Sequence, residues 1–332
     1  MKFVIAFIVC FCLCGYIISE PTFFIPKNWP KPVYDFSKNN LSTKKIILGR
    51  SLFYDPILSK NNTISCESCH SPYSAFTHID HALSHGIYDS IGKRNSPALM
   101  NLAWQNSFMW DGSITDLNKQ AIIPITHPLE MGNSIEVILE KLNHSSHYKK
   151  LFFNAYADSA ATKDRLLNSI SQFLVTLISA NSKYDQVKNG QSNFTAQEQK
   201  GYLLFKKNCS LCHQEPLFTS NRFENNGLAV DNSLNDFGRK LITHKSEDSL
   251  KFKIPTLRNI EFSFPYMHDG RFSSLSEVLN HYTKGIQSSS TLAAQLQKGI
   301  QLSANEKVDL IAFLLTLSDK EFIFNKKFHY IP

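Results

Sequence analysis

The spacing of apolar residues predicts a mostly helical chain. Ser42 caps a predicted helix whose apolar positions are Ile46, Ile47, Leu52 and Phe53. Asn133 with Glu136 three residues later marks another helix start, and residues 135–142 are amphipathic. A further apolar-faced helix is expected over residues 164–180. Thr195 with Glu198 forms a capping box whose helix ends at Cys209. Ser274 with Glu277 and Ser303 with Glu306 are two more, the last opening a helix over residues 305–317. After Ser274, Leu275, Val278, Leu279 and Tyr282 share one face, while His281 falls with Ser274 and Glu277. That predicts Tyr282 inward and His281 outward. No β-alternation is sustained, so the fold class is all-α.

The intervening segments differ in character. Residues 20–32 are rich in Pro and aromatics and read as an extended arm. Periodicity is weak over residues 70–106, which predicts a long loop. Residues 181–194 are polar, contain Gly190 and read as a linker. The length of 332 residues also suggests two domains. The division expected is residues 1–19 as a signal peptide, 20–190 as an N-terminal domain and 191–332 as a C-terminal domain. Lys2 precedes an apolar stretch over residues 3–18, too short to span a bilayer, which is a leader layout. It predicts export to the periplasm, with Ser19 as a plausible last leader residue. A cysteine among Cys10, Cys12 and Cys14 could carry a lipid anchor, although no clean lipid-attachment motif is present.

Composition adds little except by exclusion. Hydrophobic residues make up 42% and charged residues 19%, which suits a globular core and excludes disorder. The net charge of +7 is spread thinly, with no Lys/Arg run, so a nucleic-acid partner is not expected. The excess fits better with an acidic protein partner.

The chemistry lies in the cysteines. Cys66-Glu67-Ser68-Cys69-His70 and Cys209-Ser210-Leu211-Cys212-His213 are both C-x-x-C-H sequences, the attachment site of c-type haem. Each thiol bonds one porphyrin vinyl group, and His70 and His213 follow as proximal iron ligands. A zinc site would not require histidine after each pair. Each half then repeats a helix, a C-x-x-C-H, a long loop and a Trp/His-Asp-Gly element, Trp110-Asp111-Gly112 and His268-Asp269-Gly270. Two cytochrome c-like domains, each with one covalent haem c, are the natural reading.

Sixth ligands decide between electron transfer and peroxide chemistry. His78, His81 and His85 follow the first site, and His85-Gly86 is best placed to turn over the porphyrin. Met267, His268, His281 and Tyr282 compete beyond the second, where spacing alone favours Tyr282 as a core residue. Peroxide cleavage also needs a distal acid–base group. Glu130, within Pro128-Leu129-Glu130-Met131-Gly132, is a candidate whose apolar neighbours would raise its pKa. Trp110 could carry charge between the haems or simply pack.

These motifs resemble the bacterial di-haem cytochrome c peroxidase and MauG family, over about residues 48–317. The markers are Leu48-Gly49-Arg50-Ser51-Leu52-Phe53-Tyr54-Asp55, Arg94-Asn95-Ser96-Pro97-Ala98-Leu99, Trp110-Asp111-Gly112, Gln120, Glu130-Met131, Pro255-Thr256-Leu257-Arg258-Asn259 and Pro265-Tyr266-Met267-His268-Asp269-Gly270, with both haem sites in order. The resemblance implies a peroxidatic first haem with His85 as removable distal ligand. It places Glu130 as the acid–base group, Gln120 as its distal-pocket partner and Trp110 between the haems. It implies an electron-accepting second haem and a Ca²⁺ held by Asn95 with carbonyls of Ser263 and Pro265, an all-oxygen set suited to that ion. Tyr282 stands where ordinary members carry methionine, as in the MauG-like branch, and so becomes the expected sixth ligand. Phenolate ligation would favour ferric iron and lower the potential. The function implied is reduction of hydrogen peroxide with electrons from a small c-type cytochrome or copper protein. The alternative is a MauG-like oxidase that modifies a partner protein through a high-valent iron state. All three tryptophans precede the second haem site, which weakens that alternative. Family members often dimerise, so a homodimer is admitted.

Overall fold

The structure is a computed structural model and describes residues 20–330. The expected leader lies outside the described residues. The first half contains α1 (Thr43–Tyr54), the short α2 (Leu117–Gln120) and α3 (Ile122–Thr126), α4 (Ile135–His144), α5 (Ser146–Tyr156) and α6 (Lys163–Val175). Then come α7 (Lys183–Lys188), α8 (Ala196–Asn208), α9 (Lys240–Thr243), α10 (Leu275–Asn280), α11 (Ala304–Leu315) and α12 (Lys320–Ile323). The strands β1 (Phe223–Glu224) and β2 (Phe252–Lys253) pair antiparallel. Among the described residues no helix is long and apolar enough to cross a membrane.

The two halves share one plan. In each, a helix runs into the C-x-x-C-H turn and crosses a second helix that closes the lobe: α1 against α6, and α8 against α11. Glycine sits at both crossings. A Cβ on Gly49 would lie 1.8 Å from the Ser169 carbonyl oxygen, and one on Gly201 would lie 1.9 Å from that of Asp309. Only a residue without a side chain lets these backbones meet. Leu48, Leu52, Phe53, Leu166, Ile170 and Phe173 bury one side of the first crossing. Phe205, Phe218, Leu310, Phe313 and Leu314 do the same in the second. The Trp/His-Asp-Gly elements also match. Met109 and Met267 both adopt positive φ (66° and 79°), and each turn is closed by a bridge, Phe108 to Ile114 and Tyr266 to Phe272.

Several boundaries move from those predicted. The cap of α4 is Ser134, which accepts from the Val137 N–H, while Asn133 bonds the Leu58 carbonyl instead. The segment predicted as a linker contains α7, opened by a Ser182–Asp185 capping box. Asp185 also takes a bidentate bond from the fully buried Arg258 at 2.8 and 2.7 Å. The Arg258 guanidinium lies 4.7 Å from the Trp29 ring centroid, so the extended arm, α7 and the second lobe meet at one cation. The chain end also crosses over: Phe322 and Ile323 of α12 complete the first core.

Candidate functional site

The C-x-x-C-H segments follow directly from helix ends. Cys209 is the C-cap of α8, its N–H bonded to the Phe205 carbonyl. Cys66 is tied to α1 through its N–H on the Phe53 carbonyl (3.1 Å). Each pair then folds as a tight turn that aims its histidine inward. His70 Nδ1 donates to the Phe76 carbonyl at 2.8 Å. His213 Nδ1 faces the carbonyls of Phe218 (3.1 Å) and Pro255 (3.2 Å). Such bonds fix the tautomer and leave Nε2 as a free ligand atom. Burial pushes both imidazoles down to about 4, so both are neutral.

A mostly apolar cavity of about 780 Å³ runs along both lobes. Cys66, Cys69, His70, His85 and Glu130 line it on the first-lobe side. Cys209, Cys212, His213, Met267 and Tyr282 line it on the second. The four cysteines are unpaired thiols, and burial pushes Cys66 and Cys209 up to about 12. Two dithiol turns, two oriented neutral imidazoles and a long apolar slot fit two covalently held porphyrins.

The first site gathers the residues expected there. A Cβ on Gly86 would lie 2.4 Å from the Glu130 carbonyl oxygen, and Ile87 N–H donates to that oxygen at 2.8 Å. The His85-Gly86 turn is therefore pressed onto the backbone of Glu130. The Cys69 sulfur is 3.4 Å from the His85 carbonyl. His85 Nδ1 donates to Asp89 at 2.7 Å, and its ring stacks on His81 at 4.0 Å. His81 is in turn stacked on and bonded to His78 (3.0 Å), forming an imidazole ladder that ends at the cavity. Burial raises the Glu130 carboxyl above its ordinary value, opposed by His127, whose Nδ1 is 3.7 Å away. Gln120 Nε2 donates to the Met109 sulfur (3.6 Å), and Trp110 Nε1 donates to the Asn95 carbonyl (2.8 Å). Asn95 Nδ2 donates to the Ala82 carbonyl (2.9 Å), leaving its oxygen as acceptor. Asn95, Ser263 and Pro265 line the same cavity.

The second site corrects one expectation. After α10 the chain widens into a π-turn over His281–Gly285. Tyr282 lines the cavity, as its apolar face predicted, and burial pushes its phenol up to about 12. His281, predicted outward, is 5% exposed. Its Nε2 donates to the Asn226 carbonyl at 3.0 Å, because the segment around Asn226 covers the face that Ser274 and Glu277 made look solvated. Asn226 Nδ2 reaches the Met267 sulfur at 3.4 Å, repeating the Gln120–Met109 pair of the first lobe. Sequence reasoning missed three features: Asp89 behind His85, Asn226 beside Met267 and the buried Lys253. Only Asp89, four residues after His85, left a local signal.

Comparison with known proteins agrees with this geometry. The family model for di-haem cytochrome c peroxidase matches residues 43–193. The chain is 35% identical over 299 residues to the methylamine utilization protein MauG of Methylorubrum extorquens, covering 88% of this chain and 82% of that one. It is 32% identical over 276 residues to the cytochrome c551 peroxidase of Nitrosomonas europaea, covering 82% and 79%. A crystal structure of a MauG-like protein associated with microbial copper homeostasis superposes with a TM-score of 0.84 at 31% identity, covering 93% of this chain and 98% of that one. With paired C-x-x-C-H turns on one cavity and relatives of this identity, the chain belongs to the di-haem cytochrome c peroxidase and MauG family, oxidoreductases with two haem c groups that act on peroxide.

Proposed function

We propose that the protein is a periplasmic peroxidase that converts H₂O₂, two electrons and two protons into two waters. Bound haem iron supplies the electron transfer to the O–O bond. The chain's own residues supply protons, position and exclusion of water. Glu130 carries the reading: burial raises its carboxyl, the residue lines the cavity, and its backbone is locked against the His85-Gly86 turn. When ionised, a carboxylate with a raised pKa is a stronger base than an ordinary one, so it can accept a proton from one peroxide oxygen and, as the acid so formed, return it to the departing one. Gln120 orients the distal pocket from beside Met109. Trp110 offers an oxidisable ring between the two lobes, held by the Asn95 carbonyl. Asn95, Ser263 and Pro265 are the proposed holders of a structural Ca²⁺. The electron donor is a small acidic redox protein, drawn by the net charge of +7.

The test is Glu130→Gln. General acid–base groups contribute about 10²–10⁴-fold, so peroxide turnover should fall by at least about a hundredfold. The pyridine haemochrome count should stay at two haems per chain. Unchanged turnover would remove Glu130 from the mechanism.

Tyr282 favours a second reading, a MauG-like oxidase acting on a partner protein. Mixing the diferric protein with one equivalent of H₂O₂ in a stopped-flow spectrometer separates the two. A fast spectral change without prior reduction supports the MauG-like mechanism. Reactivity only after one-electron reduction supports a peroxidase whose first site is blocked by His85.

A further inference from the structure

The cavity contains a cation that the proposed chemistry does not use. Lys253 lies on β2, between Phe252 and Ile254, and is 9% exposed. Its Nζ donates to the Gln105 side-chain oxygen and to the Ser107 carbonyl, both neutral, and lies 5.6 Å from the Phe108 ring centroid. An ammonium has three N–H donors, so one remains for the cavity that Lys253 lines. Its backbone N–H donates to the Trp110 carbonyl at 2.7 Å, so it sits where the two lobes meet. Burial without an anion is costly for a lysine, and burial alone accounts for the strong lowering of its pKa to about 7.

The other cationic side chains lining the cavity are differently placed. Arg94 is spent on two carboxylates, Asp111 (2.6 Å) and Asp236 (2.6 and 2.9 Å). Lys93 and Lys207 are exposed. A haem c carries two propionate carboxylates, which a mostly apolar cavity must neutralise. We propose that Lys253 is a carboxylate-binding site that anchors a haem propionate at the junction of the two lobes, with Gln105 and the Ser107 carbonyl holding the ammonium in place. This rests on the di-haem reading, and the ligand is a propionate of either the first or the second haem.

The test uses the haem-loaded protein and its Lys253→Met variant. Resonance Raman spectra report the propionate bending bands, which move when a propionate loses a charged hydrogen-bond donor. One such band should shift in the variant. Spectroelectrochemical titration should show a lowered potential for the same haem, because a nearby cation favours the reduced state. The haem whose potential falls is the one whose propionate is held. Unshifted bands in a two-haem variant would overturn the proposal, even if a potential moved, since charge alone acts at a distance. If the methionine variant fails to load both haems, Lys253→Arg keeps the charge but changes the donor geometry. Its propionate band should still shift, and an unshifted band would overturn the proposal equally. A wild-type count other than two haems would instead overturn the di-haem reading.

Discussion

At the scale of single residues, His85 is set up by its neighbours. The bond from Nδ1 to Asp89 fixes the tautomer and leaves Nε2 free with its lone pair, the arrangement that carboxylate–histidine pairs adopt around metals. It also makes the imidazole a better donor. Asp89→Asn should therefore weaken His85 as a distal ligand, by about tenfold, the low end for such second partners because Asp89 is exposed. The ferric first haem should shift toward its five-coordinate spectrum and react with peroxide more readily. An unchanged spin-state ratio would show that Asp89 does not control His85. The ladder to His81 and His78 gives the same ring a stacking surface on its outer side.

At the scale of elements, the helix crossings matter most. Gly49→Ala would drive a methyl into the Ser169 carbonyl, and the only relief is to separate α1 from α6. Overpacking of this kind costs about 1–3 kcal/mol. Because α1 also anchors Cys66 through Phe53, the variant should load its first haem poorly while the second is retained. Gly201→Ala should show the opposite pattern, measured by the haem count and by mass spectrometry of the two C-x-x-C-H peptides. Equal loss of both haems would mean that each crossing does not act through its own C-x-x-C-H turn. The elements most legible in the sequence were those with local signals. The boxes at Thr195, Ser274 and Ser303 all form, because each needs only four consecutive residues. The C-x-x-C-H turns were legible for the same reason. The Ser182–Asp185 box was hidden by its polar surroundings, and the partner that buries it, Arg258, is 73 residues away. His281 and Lys253 were illegible for a related reason. Their environments come from segments around Asn226 and Gln105 that no spacing rule connects to them.

At the scale of the molecule, the Asp185–Arg258 pair ties the connection to the second lobe. Burial would raise the Asp185 carboxyl, but the Arg258 bonds and Ser182 hold it below its ordinary value. A depressed carboxylate stabilises the fold above its unfolded pKa of about 4, and that stability is lost as pH falls through the lower folded value. Asp185→Asn leaves a buried guanidinium uncompensated and should cost about 3–5 kcal/mol in urea unfolding near neutral pH. The deficit should shrink in acid. A constant deficit down to pH 2 would mean that charge is not what the pair contributes. The returning tail has a different consequence. Tyr54 donates to the Phe328 carbonyl, Arg50 Nη1 donates to the Lys327 carbonyl, and Phe322 and Ile323 fill the first core. Chains are made from the N-terminus, so the first lobe lacks part of its interior until Phe322 and Ile323 have been made. Removing α12 would therefore open the first core on the side that Phe322 and Ile323 fill, far along the chain from the C-x-x-C-H turn that core supports.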